Sequence, residues 1–166
     1  FYDVEPATNY DHNYQYDGGT TTVWYSLASG SATANVYTAT SAQDVDAVGF
    51  FTKSANVGYS VSVYANPTSA TDPSSGTLVA SAAGTETYAG YHTVALDDPA
   101  TLSSGETFAV VVTLTSADGT NVWLAMDQTT GYAEGYVTDT QSTTAQTTGQ
   151  SFRRVGPAGA SWIDMA

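Results

Sequence analysis

Cysteine is absent from this chain of 166 residues. Its absence excludes disulfide bridges, zinc–thiolate centres and cysteine nucleophiles together. The compartment does not follow from the missing cysteine alone. Lysine is also nearly absent, however, while Thr, Ser, Gly, Ala and Tyr are abundant. That composition favours an extracellular or cell-surface location.

Basic residues are scarce too, since three Lys and Arg residues stand against 16 Asp and Glu residues, for a formal net charge of −13. A field of this sign repels phosphate, so nucleic acid and anionic membrane surfaces are poor partners. The same field attracts cations, which makes calcium a reasonable ligand. Solubility at high salt explains the charge equally well.

Long apolar runs are missing, so the sequence predicts no transmembrane helix, and it contains no recognisable signal peptide. We therefore expect no membrane insertion. Because the chain opens directly at Phe1 without a targeting pattern, we expect it to be a fragment of a larger secreted or surface-anchored protein.

Sustained helical periodicity is also missing, and polarity alternates instead with a period of two. Residues 58–65 place Tyr59, Val61 and other apolar residues on one face and serines on the other. Residues 45–52 and 107–115 are apolar on both faces. These two segments are therefore predicted to be central strands.

Eight further segments alternate less strictly and predict shorter strands. They cover residues 22–27, 34–39, 77–83, 88–96, 121–127, 134–138, 150–155 and 160–164. About ten short strands at such spacing predict an all-β fold, an antiparallel, jelly-roll-like β-sandwich. We expect one domain over residues 1–166, with an opening segment at 1–20 that contains a turn and a polar loop at 138–149.

Turn chemistry separates these segments. Asp118-Gly119 lies between two of them and predicts a hairpin turn. Residues 66–76 contain two prolines and predict one long loop, and residues 97–105 contain Asp-Asp-Pro and Ser-Ser-Gly and predict another. Trp162 is predicted to close the core as the last strand pairs with an early one.

Catalytic signals are weak. His92 shares a predicted strand face with Val94 and Leu96, which favours a packed histidine, and His12 lies in the polar opening segment. No Gly-x-Ser-x-Gly sequence is present to form a nucleophile elbow. A glycosidase needs only two carboxylates beside a cleft, so a glycoside-active enzyme stays an alternative. We expect a noncatalytic domain.

Side chains with oxygen donors are concentrated in the opening segment. Calcium is coordinated by six to eight oxygen ligands, so this segment is a candidate calcium site. The predicted metal ligands are Asp3, Glu5, Asp11, Asn13 and Asp17. The alternative is an acidic, solvated segment. No EF-hand loop is present, because Asp44-Val45-Asp46 continues into an apolar strand.

Aromatic and hydrogen-bonding residues also alternate in this segment and suggest a sugar site. A sugar ring stacks its apolar face on an aromatic ring, and its hydroxyls bind carboxylates and amides. The predicted ligand-binding residues are Tyr14, Gln15, Tyr16, Asp17 and Trp24. The alternative is structural, because Tyr is a good strand residue that buries its ring and keeps its hydroxyl in water.

Several stretches, in order along the chain, resemble one known family. They are residues 9–19, 34–39, 47–52, 102–111, 149–152 and 159–164. Together they are similar to the lectin-like domain found after papain-type cysteine protease domains and in adhesin-like surface proteins of bacteria and archaea.

The resemblance implies a noncatalytic accessory domain that binds or positions its parent protein on a glycan, cell-wall or protein surface. It also implies an adjacent domain of the parent as a partner. Two alternatives stay open: a purely structural spacer or docking domain of an extracellular cysteine protease, and the glycoside-active enzyme.

Overall fold

The computed structural model describes residues 9–16, 22–127 and 147–166. This part of the chain forms ten β-strands and a short 3-10 helix at Pro73–Ser75, without an α-helix. The strands are β1 (Thr22–Leu27), β2 (Ala32–Thr38), β3 (Gln43–Thr52), β4 (Val57–Ala65), β5 (Thr77–Glu86), β6 (Gly90–Leu102), β7 (Thr107–Ser116), β8 (Val122–Asp127), β9 (Ser151–Arg154) and β10 (Trp162–Asp164).

The strands form one large sheet and two strand pairs. The large sheet has the order β10-β9-β2-β7-β4-β5, and the pairs are β1–β8 and β3–β6. Every ladder is antiparallel. The predicted all-β antiparallel fold is therefore confirmed.

The main core lies between the large sheet and the two pairs. Alternation places Phe108, Val112 and Leu114 of β7 on the inner face, where each is less than 9% exposed. One cluster of buried apolar side chains joins them to residues of β3, β6 and β8. Two layers therefore share one apolar interior, which makes the fold a β-sandwich.

The outer face of the large sheet carries a second, smaller cluster that contains Ala34, Val111 and Phe152. Trp162 packs there half-buried, and its Nε1 donates to Ser74 Oγ at 3.4 Å. The predicted loop at 66–76 thus supplies a cover for this face. The prediction that Trp162 closes the main core is wrong, because its strand, β10, pairs with β9 at the edge of the sheet.

Strand β7 is central as predicted, since it pairs with both β2 and β4. Strand β3, the other predicted central strand, pairs only with β6 within the described ranges. Apolar residues on its outer face, such as Phe51, are also exposed rather than covered by a second layer. The apolar residues on both faces of β3 therefore belong to the core on one side and to an exposed aromatic surface on the other.

Two turn predictions also change. Asp118-Gly119 does form a turn, with Gly119 at a φ of 72°, but β7 and β8 belong to different sheets, so this is not a hairpin. Residues 97–99 lie within β6, opposite an irregularity in β3 between Val45 and Ala47. An Asp-Asp-Pro signal can sit there because a bulge leaves residues outside the hydrogen-bonded ladder.

The predicted strand at 134–138 lies outside the described residues, as does the polar loop except for its last three positions. No helix in the described part of the chain is long and apolar enough to cross a membrane.

Candidate functional site

The opening segment is pinned to the sandwich by two tyrosines. The Tyr16 ring stacks on Tyr37 with centroids 4.7 Å apart, and the Tyr14 ring meets Phe108 edge-on at 5.3 Å. The Tyr14 hydroxyl accepts hydrogen bonds from Thr40 N at 2.9 Å and Gln43 Nε2 at 2.7 Å. These contacts match the structural alternative for both rings.

The two phenols differ electrostatically. Burial alone would raise the pKa of Tyr14, but the hydrogen bonds from Thr40 and Gln43 outweigh it, so that this pKa is lowered from 10.0. Burial raises the pKa of Tyr16. Hydrogen-bond donors that face Tyr14 stabilise its phenolate, and the apolar surroundings of Tyr16 destabilise the charged form.

A cleft of about 730 Å³ lies between the opening segment and β3. That volume is within the usual range for sites that hold small ligands, about 300–1,000 Å³. Residues 9–14 and 43–49 form two walls, and the inner face of β7 contributes Phe108, Val110 and Val112. Tyr91 and Thr93 of β6 also line it. We call this space the polar cleft.

Exposed carboxylates give the polar cleft its character, namely Asp11, Asp44 and Asp46. The irregularity between Val45 and Ala47 accounts for two of them. Strict alternation would put Asp44 and Asp46 on the inward side with the buried Val48. The bulge shifts the alternation of side chains between the two faces of the strand, so both aspartates point to solvent.

An aromatic corner adjoins the polar cleft, and it consists of Tyr91 and Phe51. The two residues face each other across the β3–β6 ladder, with centroids 4.9 Å apart and planes at 63°. Tyr91 is 60% exposed and Phe51 39%. Exposed rings on one sheet surface are a common feature of recognition sites.

The aromatic surface continues from this corner to Trp24, which lies 6.4 Å from Phe51, centroid to centroid. The Lys53 ammonium lies 3.7 Å from the centroid of the Trp123 ring and 5.9 Å from that of Trp24. A cation over indole faces is stabilised by the ring quadrupole. Lys53 thus covers part of the aromatic surface that Trp24 and Trp123 would otherwise expose to a ligand.

The two histidines have different surroundings. His12 is exposed, and its Nε2 lies 3.5 Å from Ser41 Oγ. His92 packs against Phe50 at 5.8 Å, as predicted for a histidine on an apolar face. Its hydroxyl partner, Thr52, is only 2% exposed, so a substrate cannot reach that oxygen.

The predicted site residues separate into several places. Asp11, Asn13 and Tyr14 line the polar cleft, and the Asn13 amide donates to Gln15 Oε1 at 3.3 Å. Trp24 lies on the aromatic surface beyond Phe51. Asp3, Glu5 and Asp17 lie outside the described residues. Where the structure describes the chain, it contains no group of three or more His, Cys, Asp or Glu side chains that could hold a metal.

Asp44, Asp46 and Tyr91 of the polar cleft and the adjoining Phe51 are not among the residues predicted from the sequence. Asp44 and Asp46 interrupt an otherwise apolar strand, and that interruption was the available signal. Tyr91 carries no local signal, because it reaches the polar cleft only through the pairing of β6 with β3.

The model of the family described as "Lectin like domain" matches residues 13–166. The chain belongs to the lectin-like domain family. No curated protein matches it.

Two solved structures share the fold of this lectin-like domain. One is described as the cysteine protease and lectin-like domains of Cwp84, a surface layer associated protein of Clostridium difficile; it is 22% identical over 92% of this chain, with a TM-score of 0.59. The other is the clostridial cysteine protease Cwp84 after propeptide cleavage, 21% identical over 87% of this chain, with a TM-score of 0.58.

This chain spans 33% and 36% of the lengths of those two chains. The family match concerns the lectin-like domain, and this chain contains no cysteine. This lectin-like domain therefore carries no cysteine-protease active site.

Proposed function

We propose that this lectin-like domain binds a glycan and thereby holds a larger extracellular parent protein on a cell surface or cell wall. The observation that carries the proposal is the polar cleft, in which exposed carboxylates lie beside an aromatic corner. Ionised carboxylates accept hydrogen bonds, and sugar hydroxyls donate them. Aromatic rings match the apolar face of a sugar.

A glycan array combined with sedimentation on purified bacterial cell walls tests this function. We expect retention that is reduced when Asp44 and Asp46 are both replaced by Ala. An Asp97→Ala, Asp98→Ala variant is the matched control, because it removes two exposed carboxylates that do not line the polar cleft. No binding to any array glycan or wall preparation would contradict the proposal.

The second candidate is a docking or spacer role beside a cysteine protease domain in the same parent. It is favoured by the two Cwp84 structures, whose descriptions name a cysteine protease. A stable complex between this domain and a separately produced protease domain of its parent, without any glycan binding, would support this candidate over the first.

We also propose that the opening segment binds calcium. Two of its predicted ligands, Asp11 and Asn13, are exposed in the polar cleft, and the other predicted ligands lie outside the described residues. Calorimetry with calcium on chelator-treated protein tests it. Absence of both binding heat and a shift in melting temperature would exclude a calcium site.

A further inference from the structure

The position of the Tyr91 ring depends on a glycine in the neighbouring strand. A Cβ atom built on Gly49 would lie 1.9 Å from Tyr91 Oη and 2.7 Å from its Cζ. The hydroxyl end of the ring therefore lies directly over Gly49, which only a residue without a side chain permits. The ring leans along the sheet, with its inner side supported by β3 and the rest exposed.

Phe51 fixes the second side of this arrangement. Its ring is inclined by 63° to that of Tyr91 at a centroid separation of 4.9 Å, and it also meets Trp24 edge-on. Edge-to-face contacts hold aromatic rings in defined orientations. Tyr91 and Phe51 thus form one exposed aromatic corner, of which Tyr91 also lines the polar cleft.

The carboxylates nearby decide what kind of ligand this corner suits. Asp44, Asp46, Gly49 and Tyr91 line the same cleft. Ionised carboxylates are acceptors only, so a ligand beside them must supply donors such as hydroxyl or acetamido groups. The formal net charge of −13 further disfavours a ligand that carries carboxylate or phosphate groups.

We propose that Tyr91, supported by Gly49 and flanked by Phe51, is the stacking subsite for one pyranose ring of an uncharged oligosaccharide whose hydroxyls are bound by Asp44 and Asp46. The subsite rests on the proposed glycan-binding function and gives that function a ligand class. Lys53 is not part of it, because its ammonium group lies over Trp123 and it does not line the polar cleft.

Isothermal titration with three neutral hexasaccharides (cellohexaose, chitohexaose and mannohexaose) and with hexagalacturonate tests the subsite. We expect at least one neutral probe to bind, with an affinity that changes little with added salt, and hexagalacturonate not to bind. Tyr91→Ala should weaken the neutral probe by about tenfold, equivalent to about 1.4 kcal/mol. Tyr91→Phe should retain most of the affinity, because stacking needs the ring.

Gly49→Ala is the decisive variant, because it keeps every side chain of the corner and displaces only the Tyr91 ring. We expect it to weaken binding in the same direction as Tyr91→Ala. Tyr88→Ala is the control, since Tyr88 is 77% exposed on the neighbouring turn and does not line the polar cleft. Melting curves check that all variants stay folded.

The outcomes separate the subsite from the function it rests on. If replacing Asp44 and Asp46 abolishes binding while Tyr91→Ala and Gly49→Ala leave it unchanged, the function stands and the subsite is wrong. Binding of hexagalacturonate in preference to the neutral probes would overturn the ligand class. If no probe, array glycan or wall preparation binds, both proposals fail.

Discussion

The imidazole of His92 lies 2.9 Å from the hydroxyl of Thr52, which is only 2% exposed. On its other side, His92 Nδ1 lies 3.2 Å from Glu86 Oε2. The Thr52 hydroxyl also donates to the Tyr88 carbonyl at 3.2 Å. This chain of contacts joins β3 to the turn between β5 and β6, directly behind the strand pair that carries the aromatic corner.

Thr52→Val should destabilise the domain by about 1–2 kcal/mol, because the partly buried hydrogen bonds of its hydroxyl to His92 and to the Tyr88 carbonyl are lost. Urea unfolding followed by tryptophan fluorescence measures the change. Thr101→Val, an exposed position in β6, is the matched control and should change stability by less than about 0.5 kcal/mol. Equal stability of the two variants would show that the Thr52 hydroxyl contributes nothing.

Asp118 should make the stability of the domain depend on pH under acidic conditions. Its carboxylate accepts hydrogen bonds from Ser116 Oγ and from both the hydroxyl and the backbone N–H of Thr120, which lower its pKa from 3.8 to about 2. Because the folded pKa is the lower one, the stabilisation is complete above the unfolded value and is lost as pH falls through about 2.

Asp118→Asn measures this contribution. We expect the wild type to have the higher urea midpoint at pH 6, and the difference to shrink as pH falls from about 4 to about 2. A difference that stays constant across this range would mean that ionisation of Asp118 plays no part in it.

Trp162→Ala should cost less than a truncation in the main core. Trp162 is half-buried in the outer cluster, where the Arg154 guanidinium lies 5.0 Å from its ring centroid. We expect a loss of about 1–2 kcal/mol, against about 3–5 kcal/mol for Phe108→Ala, whose side chain is 1% exposed. Equilibrium unfolding of both variants makes the comparison, and a larger loss at Trp162 would contradict it.

Tyr14→Phe should loosen the opening segment. The change removes the oxygen that accepts from Thr40 N and Gln43 Nε2, so we expect a loss of about 1 kcal/mol. It should also remove a phenol that ionises below its usual pKa of 10.0, whereas Tyr16→Phe should remove one that ionises above it. Alkaline titration of phenolate absorbance distinguishes the two, and identical titration curves would contradict the assignment.

Side-chain patterns predict the structure of some strands correctly and of others wrongly. In β4, the predicted apolar face of Tyr59, Val61 and Val63 is the face that packs in the core. In β3, hydrophobicity of both faces wrongly predicted a central strand, because an apolar residue on a strand gives the same signal whether it is covered or, like Phe51, exposed. Asp118-Gly119 likewise predicted a turn but not the sheets that it connects.

The candidate site also contains residues that the sequence predicts and residues that only strand pairing brings there. Asp11 and Asn13 are predicted metal ligands and Tyr14 is a predicted sugar-binding residue, all from one short segment of the sequence, and the three line the polar cleft. Asp46 and Tyr91 are far apart in the sequence and line the same cleft only because β6 pairs with β3 and the ladder is irregular near Asp46. No local pattern reports a long-range pairing or a change in strand facing.

The sequence by itself determined that this chain folds as antiparallel sheets with an apolar interior, because side-chain alternation is a property of each strand alone. It also determined the absence of cysteine chemistry. Only the tertiary structure decided which apolar residues face solvent, that Tyr91 lies over Gly49, and that two aspartates stay exposed beside them. The reason is that strand pairing and register depend on contacts between distant segments, and these contacts place the carboxylates and the aromatic corner at one cleft.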